Sequence, residues 1–206
     1  TVGVTTWSRD AVDVEALAPA GAGEVWVGDI GDNRASRDSV QVTRVPVGRG
    51  DRTSGGPVYD LVYPDGAHDA ETLLAGPDGR LYVVTKGFLG GTVYAAPTRL
   101  DPARPNRLEQ VGPPAGVLAM ATDGAFLPDG RRVLLRGYAG AVLYDFPTFD
   151  RVRAVRLPAQ RQGEGLAFGP DGTIYLSSEG VRAEVLRLPA IEDAAPSTSA
   201  TTPATT

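Results

Sequence analysis

Glu15, Glu71, Asp123 and Glu164 each stand just ahead of a short apolar run that closes in a tight turn. Carboxylates brought close together repel one another. Such a group persists by raising a pKa, by pairing with Arg or Lys, or by binding a cation. The chain has one histidine and no cysteine, so a metal held by these four acids takes oxygen donors, which points to Ca²⁺ or Mg²⁺. The alternative role is structural, with each acid accepting hydrogen bonds from the backbone amides of the neighbouring segment. No organic cofactor is indicated.

Other groups surround these acids. His68 precedes Asp69 and Glu71, an order that would suit a general base with an orienting carboxylate, or equally a solvated loop histidine. Lys86 and Arg136 end apolar runs, and either could stabilise developing negative charge. Asp29, Asp32 and Asn33 follow the run Val25-Trp26-Val27, and Glu179 follows Ile174-Tyr175-Leu176. With Asp69 they form a second set of ligand-binding candidates. The Asp29 to Asn33 stretch lacks the spacing and closing Glu of an EF-hand loop, so a plain Gly/Asp/Asn turn is its other reading. No Gly-x-Ser-x-Gly elbow is present, which argues against a serine hydrolase.

The elements that must position these residues recur four times. Pro77-Asp78-Gly79, Pro128-Asp129-Gly130 and Pro170-Asp171-Gly172 join paired apolar runs, and a Gly-rich turn at Ala20 to Gly23 does the same in a first, degenerate copy. Repeats of roughly 40 to 55 residues with four short strands each are the signature of a β-propeller. The runs Leu81 to Val84 and Val133 to Leu135 show no polar alternation, as expected of sheets covered on both faces. The fold class is therefore all-β, a propeller of four-stranded antiparallel blades. In each blade the first strand lines the central channel, so Glu15, Glu71, Asp123 and Glu164 are expected to converge at one mouth.

Four blades are visible, and the last is one strand short. The segment Thr1 to Trp7 could supply that strand, or could be the outer strand of an upstream blade. The second reading, together with a first residue other than Met, leads us to expect a five- or six-bladed ring lacking an N-terminal blade. Residues 1–193 are assigned to the propeller. Residues 194–206 contain only Ala, Pro, Ser and Thr and are expected to form a disordered tail. That composition resembles the stalks of exported proteins and gives an expected location outside the cell or at its surface.

The chain has 206 residues, 42% of them hydrophobic and 22% charged, which suits a globular domain. The net charge of -5, with no Lys/Arg-rich stripe, argues against nucleic acid as a partner. No apolar run approaches the roughly 18 residues needed to span a bilayer.

Val25 to Arg34, His68 to Leu73, Leu81 to Lys86, Thr122 to Arg131 and Gln162 to Gly180 together resemble a family of exported bacterial β-propellers, distantly similar to gluconolactonase-like and phytase-like propellers. The resemblance spans Glu15 to Pro189. It implies a divalent metal held on the channel axis by acids and asparagines, to which Glu15, Glu71, Asp123, Glu164 and Asn33 match. It also implies basic residues facing a phosphate, to which Lys86 and Arg136 match. Beside it stand two expected activities. One is binding of a small molecule, carbohydrate or protein at an acidic, Ca-dependent mouth. The other is metal-dependent hydrolysis of a lactone or phosphoester. A scaffold without a metal site is the third reading.

Overall fold

The computed structural model describes residues 1–7, 10–21 and 23–191, and among them all regular structure is strand. The Ala/Pro/Ser/Thr-only segment lies outside the described residues. The first blade is β2 (Val14–Gly21), β3 (Glu24–Asp29), β4 (Val40–Pro46) and β6 (Val58–Val62), all antiparallel. The second is β7 (Ala70–Ala75), β8 (Leu81–Thr85), β9 (Val93–Ala95) and β11 (Glu109–Val111). The third is β12 (Ala121–Phe126), β13 (Arg132–Gly137), β14 (Gly140–Asp145) and β15 (Asp150–Val155), and the fourth holds three strands, β16 (Gly163–Phe168), β17 (Ile174–Ser178) and β18 (Leu186–Leu188).

Two features go beyond the expected plan. The Pro-rich connection of the second blade contributes β10 (Asn106–Arg107), which adds to β6 in parallel and ties the first two blades together. Thr5–Trp7 (β1) pairs in parallel with Arg52–Ser54 (β5), inside a stretch that composition alone assigns to a loop. The N-terminal segment therefore does not complete the fourth sheet.

Successive residues in the inner strands face different neighbours, which explains their unbroken apolar character. Leu73 and Val83 pack into a core between the first and second blades, with Ile30 and Val42. Leu74, Val84 and Leu135 pack into a core between the second and third, with Phe149. Leu134 and Leu143 meet Leu166 and Leu176 between the third and fourth. The inner strands touch in the order β2, β7, β12, β16. A cleft of about 750 Å³ separates the first and fourth blades, walled by Val14, Leu17 and Val47 on one side and Leu166 and Tyr175 on the other. Leu17 is 61% exposed there, whereas Leu73, its counterpart one blade on, is 1% exposed.

Candidate functional site

A β-bulge at the start of each inner strand sets the direction of the axial side chains. The ladder steps from Val14 to Ala16, from Ala70 to Thr72 and from Gly163 to Gly165, skipping Glu15, Glu71 and Glu164. A residue left out of the ladder is free to turn away from its sheet. In the third blade the step runs from Ala121 to Asp123, so the skipped residue is Thr122. Asp123 is therefore not skipped by the ladder as the three glutamates are, although it lines the same cleft as Glu15 and Glu164. It lies one position further along, opposite Arg136, and its Oδ2 accepts the Leu166 amide hydrogen at 2.6 Å. Thr122 donates to the Gly163 carbonyl at 2.9 Å. Both side chains fasten the third blade to the fourth.

Glu71 and Lys86 form a largely buried ion pair, while Glu15, Asp123 and Glu164 line the cleft between the first and fourth blades. Lys86 Nζ donates to Glu71 Oε1 and, at 3.1 Å, to the Tyr138 hydroxyl, and it lies 5.4 Å from the Tyr138 ring centroid. The other oxygen, Glu71 Oε2, is shut off from solvent and has no partner. The carboxylate holds the proton on Lys86 and raises its pKa. Burial pushes the Glu71 pKa up, and the charges of Glu164 and Asp69 add to this; Lys86 offsets only part of it. Glu15 is pushed up to about 7, first by burial and then by Glu71 and by Asp13, with which it shares a hydrogen bond. Asp123 also rises to about 7 through burial, although the Leu166 and Gly124 amides and Arg136 oppose the shift.

Most of the other expected site residues are committed to holding loops. Asp29 accepts the amides of Val12 and Asp13 and pairs with Arg37 at 2.9 Å, and these contacts hold its pKa below the ordinary value. Asp32 accepts the Ser36 and Arg37 amides, and Asp69 accepts the Asp32 amide. Asn33 donates to Asp13 at 3.3 Å. Glu179 is held by the Gln162 amide group. His68 turns away from Asp69 and Glu71. It pairs with Asp65 at 3.0 Å and with the Tyr94 hydroxyl at 3.1 Å, and it packs edge-on against Tyr63. Arg136 is buried between the last two blades and donates to Gln160 Oε1 and to the carbonyls of Gly165 and Ser177. A group so enclosed cannot reach a phosphate at the mouth.

Among the described residues no three His, Asp or Glu side chains are grouped to hold a metal ion. Ca²⁺ takes six to eight oxygens, yet the Lys86 ammonium already occupies the cation position beside Glu71, and one oxygen of Asp123 is taken by an amide. As folded, the site does not fit Ca²⁺ or Mg²⁺.

No family model matches the chain, and no curated protein matches it. Solved structures do. A gluconolactonase from Xanthomonas campestris aligns at 14% identity with a TM-score of 0.53, over 84% of this chain and 55% of that one. A catalytically inactive virginiamycin B lyase from Staphylococcus aureus, with quinupristin, aligns at 11% identity and 0.52, over 88% and 57%. A putative 6-phosphogluconolactonase from Bacteroides uniformis aligns at 13% identity and 0.50, over 86% and 67%. The chain is a β-propeller. It spans about half to two thirds of the length of these neighbours, and at such identities the likeness is one of fold.

Proposed function

We propose that this propeller is an exported or cell-surface protein that binds a small, uncharged ligand rich in hydroxyl and carbonyl groups, such as a carbohydrate or sugar lactone, at the axial mouth. One observation carries the reading: Glu71 Oε2 is a buried acceptor without a partner on the carboxylate that holds the Lys86 ammonium. A buried polar atom without a partner costs about 1–3 kcal/mol, which a ligand hydroxyl recovers once a shift of the partly exposed Lys86 side chain opens the way to it. The excess of carboxylates over the single lysine disfavours phosphoesters. Export is supported by the composition of residues 194–206.

A second reading, lactone hydrolysis, is favoured by Glu15. A carboxyl with a pKa of about 7 is matched to general-base work near neutral pH. In this reading Glu15 takes a proton from water, hydroxide adds to the lactone carbonyl, and Lys86 stabilises the resulting oxyanion. The ring C–O bond then breaks, and the leaving alkoxide recovers the proton from Glu15. The fold shared with two lactonase-named structures supports this reading at the level of architecture.

Calorimetry with D-glucono-1,5-lactone tests both. Binding by the wild type that is lost in Glu71→Gln supports the mouth as the site, and accelerated ring opening that is lost in Glu15→Gln supports hydrolysis. Wild-type and Glu71→Gln proteins that behave alike sink the proposal.

A further inference from the structure

The cleft between the first and fourth blades carries charge of one sign. Its charged lining consists of the carboxylates Glu15, Asp123 and Glu164, and among the described residues no Lys, Arg or His lines it. These acids stand near the starts of β2, β12 and β16, so they gather at the axial end of the cleft. Glu15 and Glu164 are partly exposed and open to a ligand there. Asp123 is spent differently, with one oxygen on the Leu166 amide and the other shut off from solvent. Arg136 attracts Asp123 and Glu164 from between the last two blades, but its hydrogen bonds go to Gln160 and to the carbonyls of Gly165 and Ser177. The negative end of the cleft is therefore not matched by a cation from its own walls.

Beyond the acids the walls are apolar. Val14, Leu17, Val47, Tyr175 and Val185 all line the cleft and all reach solvent. Its volume of about 750 Å³ is that of a site for a small organic molecule. Charge and shape together select the occupant. An anion is repelled by the acids, a neutral molecule strips water from the carboxylates without replacing it, and the acids are not grouped to hold a metal ion. An ammonium on an apolar body satisfies both parts, since its N–H groups donate to carboxylates in charge-assisted hydrogen bonds. We infer that the cleft binds a small organic monocation, its primary ammonium held by Glu15 and Glu164 and its alkyl body lying between Leu17 and Val47 on one side and Tyr175 on the other. This site is separate from the Glu71–Lys86 pair, neither member of which lines the cleft.

Matched probes test the inference by calorimetry at pH 8, above the pKa of about 7 of Glu15 and Asp123, where the acids are mostly ionised. n-Octylammonium chloride, used below micelle formation, carries the charge and the body; 1-octanol carries the body alone and methylammonium the charge alone. The wild type is expected to bind octylammonium at least about tenfold more tightly than either. Glu164→Gln is expected to weaken octylammonium at least about fivefold and to leave octanol unchanged. Leu17→Ser/Tyr175→Ser is expected to weaken octylammonium and octanol and to leave methylammonium unchanged. Both of these positions face solvent, and an unchanged melting temperature verifies the fold. The comparison of probes needs no variant. If octanol or methylammonium binds as tightly as octylammonium, or if octylammonium does not bind, the inference falls. Octylammonium binding that survives unchanged in both variants places the cation elsewhere and also overturns it. Sedimentation velocity covers the remaining occupant. A wild-type dimer that the double variant lacks, with no preference for octylammonium, assigns the cleft to a second copy of the chain and overturns the ligand. None of these failures touches the sugar or lactone site, which is read from the lactone and Glu71→Gln.

Discussion

Removing the Lys86 ammonium should expose the energetics of the mouth directly. Lys86→Ala leaves Glu71, whose side chain is 8% exposed, without its counterion and beside Glu164 and Asp69. Breaking a buried pair from one side costs about 3–5 kcal/mol. The carboxyl can instead take up a proton, which caps the cost. The ordinary Glu value is 4.5, and holding the group protonated costs about 1.4 kcal/mol for each pH unit above that. The cap is therefore about 5 kcal/mol at pH 8 and below about 1 kcal/mol at pH 5. We expect a loss of about 3 kcal/mol at pH 8, a fall in Tm of roughly 6–12 °C for a chain of this size. At pH 5 the loss should shrink to less than a third of that. Calorimetry and urea titration at both pH values give the two numbers. Lys86→Met/Glu71→Leu, which removes both charges, should recover most of the stability at pH 8. A loss that is independent of pH, or a double variant no better than the single one, would refute an ion pair buried in the way described.

Three further outcomes are expected. Glu15→Gln should raise Tm at pH 8 and leave it unchanged at pH 4.5: the folded pKa lies above the unfolded one, so wild-type stability falls as pH rises from 4.5 to about 7. Partial exposure limits this gain to about 1 kcal/mol, and scanning calorimetry across that window checks it. Arg136→Met should cost about 2–4 kcal/mol by stranding the acceptors on Gln160, Gly165 and Ser177, as read from urea unfolding. Calcium or EDTA should move Tm by no more than about 1 °C, and a rise of several degrees in calcium would mean that the acids rearrange into a chelating set.

The blades were legible in the sequence because the inner strands are covered on both faces. Leu73-Leu74 and Leu134-Leu135 point alternately into two cores, so no polar residue interrupts them. At the third axial position the bulge presents Thr122, one residue before Asp123. Glu71 and Glu164 each stand six residues before the proline of their turns, Pro77 and Pro170, and six residues before Pro128 is Thr122. Matching by charge selected Asp123, whereas counting from the turn selects the threonine that the bulge presents. The partners of Asp29, Asp32 and His68 were not legible, because loop hydrogen bonds such as those to Arg37 and Asp65 leave no periodic trace. The parallel pairing of Thr5–Trp7 with Arg52–Ser54 joins segments far apart in the chain, which no local pattern encodes.

The order in which the blades pack has a consequence for how the molecule breathes. Among the described residues the main inner-strand packing runs from each blade to the next, from β2 to β7 to β12 to β16, as in a short linear array. In such an array an end unit is stabilised by one interface and an interior unit by two. Local opening should then follow position along the row. Amide exchange is expected to be slowest in β8 and β13, fastest in the three-stranded fourth blade, and intermediate in the first, where β10 lends an added edge.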